Sequence, residues 1–170
     1  EHLKPVLLAS AAKVNAETCL NYMGKCVAEN IVKMVHNGIE YSIMQLICEV
    51  YDILHRGAGL SNEDLHQIFS QWNEGALKSY LIEITADIFT QKDDKTPAHL
   101  VDMILDKAGS KGTGKWTSQI AMDMGVAIPS IDMAVTMRNI SSLKNERLAA
   151  EALQQREVQA TSLKSANLDD

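Results

Sequence analysis

The chain has little cysteine. Cys19, Cys26 and Cys48 are an odd number in 170 residues, and no two form a CxxC pair. That spacing excludes a disulfide scaffold and reads as reduced, mostly structural thiols, which suits a cytoplasmic setting. The five histidines, at 2, 36, 55, 66 and 99, do not cluster with cysteines or carboxylates at ligand spacing, so no metal site is expected. Long apolar runs are missing too. None approaches the roughly 18 residues of a membrane span, so no membrane partner is expected. A basic excess is also lacking: the formal net charge is −6, which gives no support to nucleic-acid binding but leaves room for a local basic pocket. The first residues, EHLKPVLLASAAKV, carry no initiator Met, basic n-region or apolar h-region. They do not read as a signal peptide, and the expectation is a chain cut from something longer.

What is present suits one soluble globular domain, with 46% hydrophobic and 22% charged residues and enough length to bury a core. The pattern is mostly helical. Helical spacing runs over 3–13, with Pro5 tolerated in a first turn. TCLNYMG (18–24) reads as a short strand before a turn. Asn30 is a plausible N-cap for a long helix to about Arg56, stopped by Gly57-Ala58-Gly59. Ser61, with Asp64 three residues on, opens the next helix in the manner of a capping box. Another helix is expected over 76–89, a loop over 91–98 and a short helix over 100–107. A glycine-rich loop follows at 110–115, then a helix from Trp116 to Met124. Pro129 starts the last helix, whose tail EALQQREVQATSLKSANLDD loses apolar periodicity and is expected to fray.

Three stretches carry candidate chemistry. In VKMVHNGIEY (32–41), Lys33, His36, Asn37, Glu40 and Tyr41 stand at i, i+3, i+4, i+7 and i+8, on one face of a helix. A solvated surface stripe would look the same. However, Ile43, Met44, Leu46, Ile47, Val50 and Ile53 continue the helix as apolar nearly all round, which predicts a buried helix whose polar residues face partners or a cavity. A desolvated Lys can act as a base and a buried Glu as an acid. GSKGTGKW (109–116) nearly spells a nucleotide P-loop but has Trp116 where a hydroxyl is needed, and it follows no strand. Lys111 and Lys115 beside its amides suit either a phosphate ester or a plain surface turn. Arg138 lies in a largely apolar helix and needs a partner, either a carboxylate of a neighbouring helix or a bound anion.

With VKMVHNGIEY, MQLICEVY, WNEGALKSYLIEIT, KGTGKWTSQ and ISSLKNER, the chain resembles the 6-phosphogluconate dehydrogenases over about residues 1–150. These are decarboxylating NADP enzymes of the pentose phosphate pathway. Lys33 and Asn37 also match the K-x-x-x-N of the wider β-hydroxyacid dehydrogenases. The resemblance implies an all-α substrate-binding and dimerising domain over 25–170, preceded at 1–24 by the last helix and strand of a dinucleotide-binding domain. It implies that Lys33 is the general base at the substrate's 3-hydroxyl and that Glu40 is the acid that protonates C1 of the enediol. His36, Asn37, Tyr41, Lys111 and Arg138 match substrate contacts, the last two near its phosphate. The implied ligands are 6-phosphogluconate and NADP, and the implied assembly is a homodimer.

The chain departs from the family pattern at Val27-Ala28-Glu29-Asn30, where relatives usually read Gly-Ala-Gly-His. Neither Gly57-Ala58-Gly59 nor Gly112-Thr113-Gly114 completes G-x-G-x-x-G after a strand. The cofactor domain is therefore expected to lie outside these residues, and the piece alone is expected to be inactive. Two other readings stay open. One is another β-hydroxyacid dehydrogenase sharing only Lys33 and Asn37. The other is a non-catalytic helical assembly module.

Overall fold

A computed structural model describes residues 2–154. Helix α1 (Lys4–Ser10) begins with Pro5 in its first turn, where a missing N–H costs nothing. A minimal antiparallel hairpin follows, β1 (Lys13–Val14) against β2 (Glu17–Thr18). Asn15 and Ala16 make its turn with φ of 49° and 68°. The strand expected over 18–24 is therefore displaced toward the N-terminus, because pairing at this tight turn ends at Thr18.

Helix α2 (Ala28–Asp52) is the shaft of the structure. Its 25 residues span about 37 Å. It starts two residues before the expected cap at Asn30, with Val27 as N-cap. Glu29 in its first turn complements the helix dipole. A π-helical turn over Ile53–Gly57 ends it, with Ala58 closing the last bond to the Ile53 carbonyl and Gly59 at φ 68°.

Helices α3 (Asn62–Glu74) and α4 (Tyr80–Thr90) pack as a pair, with Ile47, Val50 and Tyr51 of α2 and Leu54 of the π-helical turn against them. Ser61 and Asp64 form the reciprocal capping box that the sequence suggested: the Asp64 N–H donates to Ser61 Oγ at 3.2 Å and the Ser61 N–H to Asp64 Oδ2 at 3.0 Å. Helix α4 starts four residues later than expected, because Ser79 caps it by accepting from the Ile82 N–H. The core here is Leu54, Leu65, Phe69, Ile82, Ala86 and Phe89. Its rings meet edge-on or tilted, Phe69 against Trp72 at 5.0 Å and against Phe89 at 5.5 Å.

The helix expected over 100–107 shrinks to α5 (Leu100–Met103), and 104–112 runs as irregular chain held by α7 and α8. Helices α6 (Thr113–Asp123) and α7 (Pro129–Ser142) pack on the N-terminal half of α2. The single last helix of the sequence reading breaks at Leu143, and α8 (Lys144–Gln154) follows. The remainder of the expected fraying tail lies outside the described residues.

Helix α2 is not buried all round: among its residues only Gly38, Tyr41 and Ser42 are buried. Ile31, Val35, Ile39 and Leu46 stand 37–58% exposed. Apolar composition measures how much a helix could bury, while burial itself needs covering elements. Among the described residues, α6 and α7 cover one side of its N-terminal half.

Phe69 is 1% exposed at the centre of the α2–α3–α4 core. Phe69→Ala should destabilise the fold by about 3–5 kcal/mol, read as a lower urea midpoint at unchanged slope.

Candidate active site

The polar stripe of α2 grades from solvent into the protein. Lys33 and His36 are exposed, Asn37 and Glu40 half-buried, and Tyr41 buried. His36 ties the outer part together. Its Nδ1 lies 3.3 Å from Lys33 Nζ, 3.3 Å from Glu40 Oε2 and 3.4 Å from Asn37 Oδ1. An acid, a base and two hydrogen-bonding groups thus share one helix face, with Lys33 and Glu40 about 10 Å apart along the axis.

At its inner end the stripe meets the glycine-rich segment and α7. The guanidinium of Arg138 lies 3.9 Å over the ring of Tyr41, a cation–π contact. Arg138 also donates to the Gly109 carbonyl at 2.7 Å and to Met44 Sδ at 3.6 Å. Its sequence-level need for a partner is thus met by a carbonyl, a ring and a thioether. The Tyr41 hydroxyl lies 3.4 Å from Ser110 Oγ. That hydroxyl, with the backbone N–H of Lys111, the Arg138 charge and the Thr113 hydroxyl, holds the phenol below the ordinary tyrosine range, against the opposing effect of burial.

Gly112, at φ 104°, is the N-cap of α6 and leaves the first-turn N–H groups without a side-chain cap. That turn carries no acidic residue. The positive end of the helix therefore adds to the Arg138 charge, with Lys111 and Lys115 on either side of Gly112 in the chain, which makes the inner end suited to an anion. The loop predicted over 110–115 is shorter than expected, since Thr113, Gly114 and Lys115 already belong to the helix.

A second set of contacts straps the chain before this loop. Arg147 Nη1 donates to Asp106 Oδ2 at 2.8 Å, and Lys144 Nζ donates to the same oxygen at 3.0 Å. Arg147 Nη2 reaches the Asp106 and Ser141 carbonyls, and the Ala108 N–H donates to Ser141 Oγ at 2.9 Å. A cleft of about 270 Å³ opens beside Arg138, lined by Tyr41, Met44, Cys48, Asp106 and Arg147 among others. Lys33 and Glu40 do not line it.

Of the residues singled out in the sequence, the structure groups Lys33, His36, Asn37 and Glu40 as one cluster. It groups Tyr41, Arg138 and the Lys111 backbone as another. Ser110, Thr113, Asp106 and Arg147 went unnoticed as site components. The only signal for Ser110, Thr113 and Arg147 was position, inside the glycine-rich run and the LKNER charge cluster, and Asp106 lay in neither.

A family model for the 6-phosphogluconate dehydrogenase C-terminal domain matches residues 29–169. The NADP(+)-dependent, decarboxylating 6-phosphogluconate dehydrogenase of Bacillus subtilis (strain 168) is 58% identical over 153 residues, covering 90% of this chain and 33% of that relative. The decarboxylating 6-phosphogluconate dehydrogenase 2 of Arabidopsis thaliana is 52% identical over 151 residues, covering 88% of this chain and 31% of its own length. Among solved structures, that of the Plasmodium falciparum 6-phosphogluconate dehydrogenase superposes with a TM-score of 0.85. It was solved apo, with its cofactor NADP+ and with its substrate 6-phosphogluconate; identity is 48%, over 91% of this chain and 33% of that one. The chain spans about a third of the length of the relatives it matches.

Arg147 and Lys144 pull the Asp106 carboxyl below the ordinary aspartate range. The folded pKa lies below the unfolded value, so the strap stabilises the protein above about pH 4. That contribution is lost as pH falls through the depressed value. Asp106 is largely exposed, so the effect is small. In an acid melting series, wild type should melt above Asp106→Asn near neutral pH, and the two curves should converge below pH 4.

Proposed function

This chain belongs to the 6-phosphogluconate dehydrogenase family, as part of its C-terminal domain, and from that premise we propose that it supplies the substrate-binding half of an NADP-dependent enzyme. That enzyme converts 6-phosphogluconate to ribulose 5-phosphate and CO₂. The carrying observation is the continuity of a base–acid face, Lys33 to Glu40, with an anion-suited end at Tyr41, Arg138 and the α6 N-terminus.

In this reading Lys33 takes the proton of the 3-hydroxyl as C3 is oxidised to a ketone. NADP, when bound, supplies the hydride acceptor. The new carbonyl is β to the carboxylate, so the electrons of the breaking C–C bond pass into it as CO₂ leaves. The Lys33 ammonium returns its proton to that oxygen, giving the enediol. Glu40 then protonates C1 while Lys33 takes the enol proton back, which restores the C2 ketone and leaves ribulose 5-phosphate. His36 and Asn37 contact the sugar acid, while Tyr41, Lys111 and Arg138 hold the phosphate, since guanidinium and ammonium groups suit its charge. Spreading the substrate along two helical turns lets base and acid act on different carbons without competing.

The described residues do not fit the nicotinamide cofactor. Their two glycine pairs sit at a π-helical turn and at an N-cap, and neither follows directly on a strand. No residue here is assigned to it. Residues 1–24 read as the end of a dinucleotide-binding domain and 25–170 as the helical one. The uncovered apolar side of α2 suits a homodimer, and three exposed free thiols suit the cytoplasm. No described helix is long and apolar enough to cross a membrane, and the net charge of −6 speaks against a nucleic-acid partner.

In the complete dehydrogenase, Lys33→Met should lower kcat by about 10²–10⁴-fold. Lys111→Ala and Arg138→Ala should each raise KM for the phosphorylated substrate about tenfold or more and affect a non-phosphorylated analogue far less. Unchanged turnover in Lys33→Met would favour a non-catalytic assembly module. The 170 residues alone should form no NADPH from 6-phosphogluconate and NADP, followed by absorbance; sustained reduction would overturn that expectation.

A further inference from the structure

The two glycines of Gly112-Thr113-Gly114 answer to different constraints. Gly112 has φ 104°, a backbone state that side chains disfavour. Gly114 is not among the positive-φ residues and lies inside the first turn of α6, where alanine is ordinarily the better residue. Space, not backbone geometry, excludes a side chain there. A Cβ on Gly114 would stand 2.8 Å from Cδ2 and 2.9 Å from Cε2 of Tyr41, and 2.9 Å from Cγ2 of Val135.

The Tyr41 ring cannot move without consequence. Arg138 lies over its face, and its hydroxyl meets Ser110. Arg138 in turn holds the Gly109 carbonyl. The edge of the ring against Gly114 is thus the first contact in a chain that ends at the loop carrying Lys111.

We propose that Gly114 is a positioning residue: its missing side chain sets the depth of the Tyr41 ring, and through Tyr41 it sets where Arg138 and the Ser110–Lys111 loop present themselves to a phosphate. The functional half of this inference rests on the reading above, while the positional half does not.

Two measurements separate the halves. The first is an alkaline titration of phenolate absorbance on this chain, with Tyr41→Phe subtracted to isolate Tyr41. The groups facing the Tyr41 hydroxyl are Ser110, the Lys111 N–H, Thr113 and Arg138. In Gly114→Ala the Tyr41 midpoint should move up toward that of an ordinary tyrosine, with helix content unchanged. Val135→Ala added to Gly114→Ala should not restore it. An unmoved midpoint, or full restoration by Val135→Ala, overturns the proposal.

The second measurement is KM and kcat in the complete enzyme. Gly114→Ala should raise KM for 6-phosphogluconate about tenfold and change kcat less than twofold. A moved Tyr41 midpoint with an unchanged KM would leave the ring's seat standing and overturn its link to the phosphate. If wild type also turns over a non-phosphorylated analogue equally well, the phosphate reading itself fails. Should Gly114→Ala not fold, Tyr41→Leu added to it must restore more folded protein than Val135→Ala does, since the ring makes two of the three closest contacts; the reverse order overturns the proposal.

Discussion

Tyr41 is the contact on which the inner site turns. On it α2 meets α6, α7 and the 109–112 segment. A ring fills the space against Gly114, a guanidinium covers its face, and a serine hydroxyl meets its oxygen. Aromatic rings combine a large apolar body with a polar tip. Tyr41 can therefore pack like a core residue while its hydroxyl joins the polar lining. The same ring spreads the Arg138 charge over a π face, so the guanidinium is held in place without a carboxylate that would neutralise it toward an anion.

Helix α2 gives that contact its leverage. One rigid rod carries the polar stripe, the Tyr41 seat and the anchor for the α3–α4 core. Gly38 lets α6 approach closely: a Cβ there would come 3.1 Å from Thr117 Oγ1 and 3.3 Å from Ile131 Cγ2. Thr117 Oγ1 lies 3.1 Å from the Met34 carbonyl and 2.9 Å from the Thr113 carbonyl, so a buried hydroxyl links α2 to the first turn of α6. Stripe and loop are thereby held in register by packing along the same stretch of α2 that carries the exposed groups. The Asp106–Arg147–Lys144 strap does the same for the chain leading into the loop.

The sequence was most informative where one local rule dominates. The capping box at Ser61, the start of α7 at Pro129 and the stop after α2 each depend on a few adjacent residues and their backbone preferences. The face shared by Lys33, His36, Asn37, Glu40 and Tyr41 follows from helical periodicity alone. Boundaries slipped where competing caps existed, as at Ser79, or where tertiary contacts replaced helix, as over 104–112. The burial of α2 was overestimated because composition cannot say which elements cover a helix.

Local physics written in the sequence determined a mostly helical chain, a single polar face on its longest helix, a glycine-rich turn with two lysines, and an arginine in need of a partner. Only the tertiary structure decided that Arg138 would find Tyr41 and the Gly109 carbonyl instead of a carboxylate. It also decided that the second glycine of the turn would be a seat for a ring. These outcomes join residues dozens of positions apart. Close packing selects them, because which side chain fits against which is settled only when the helices meet.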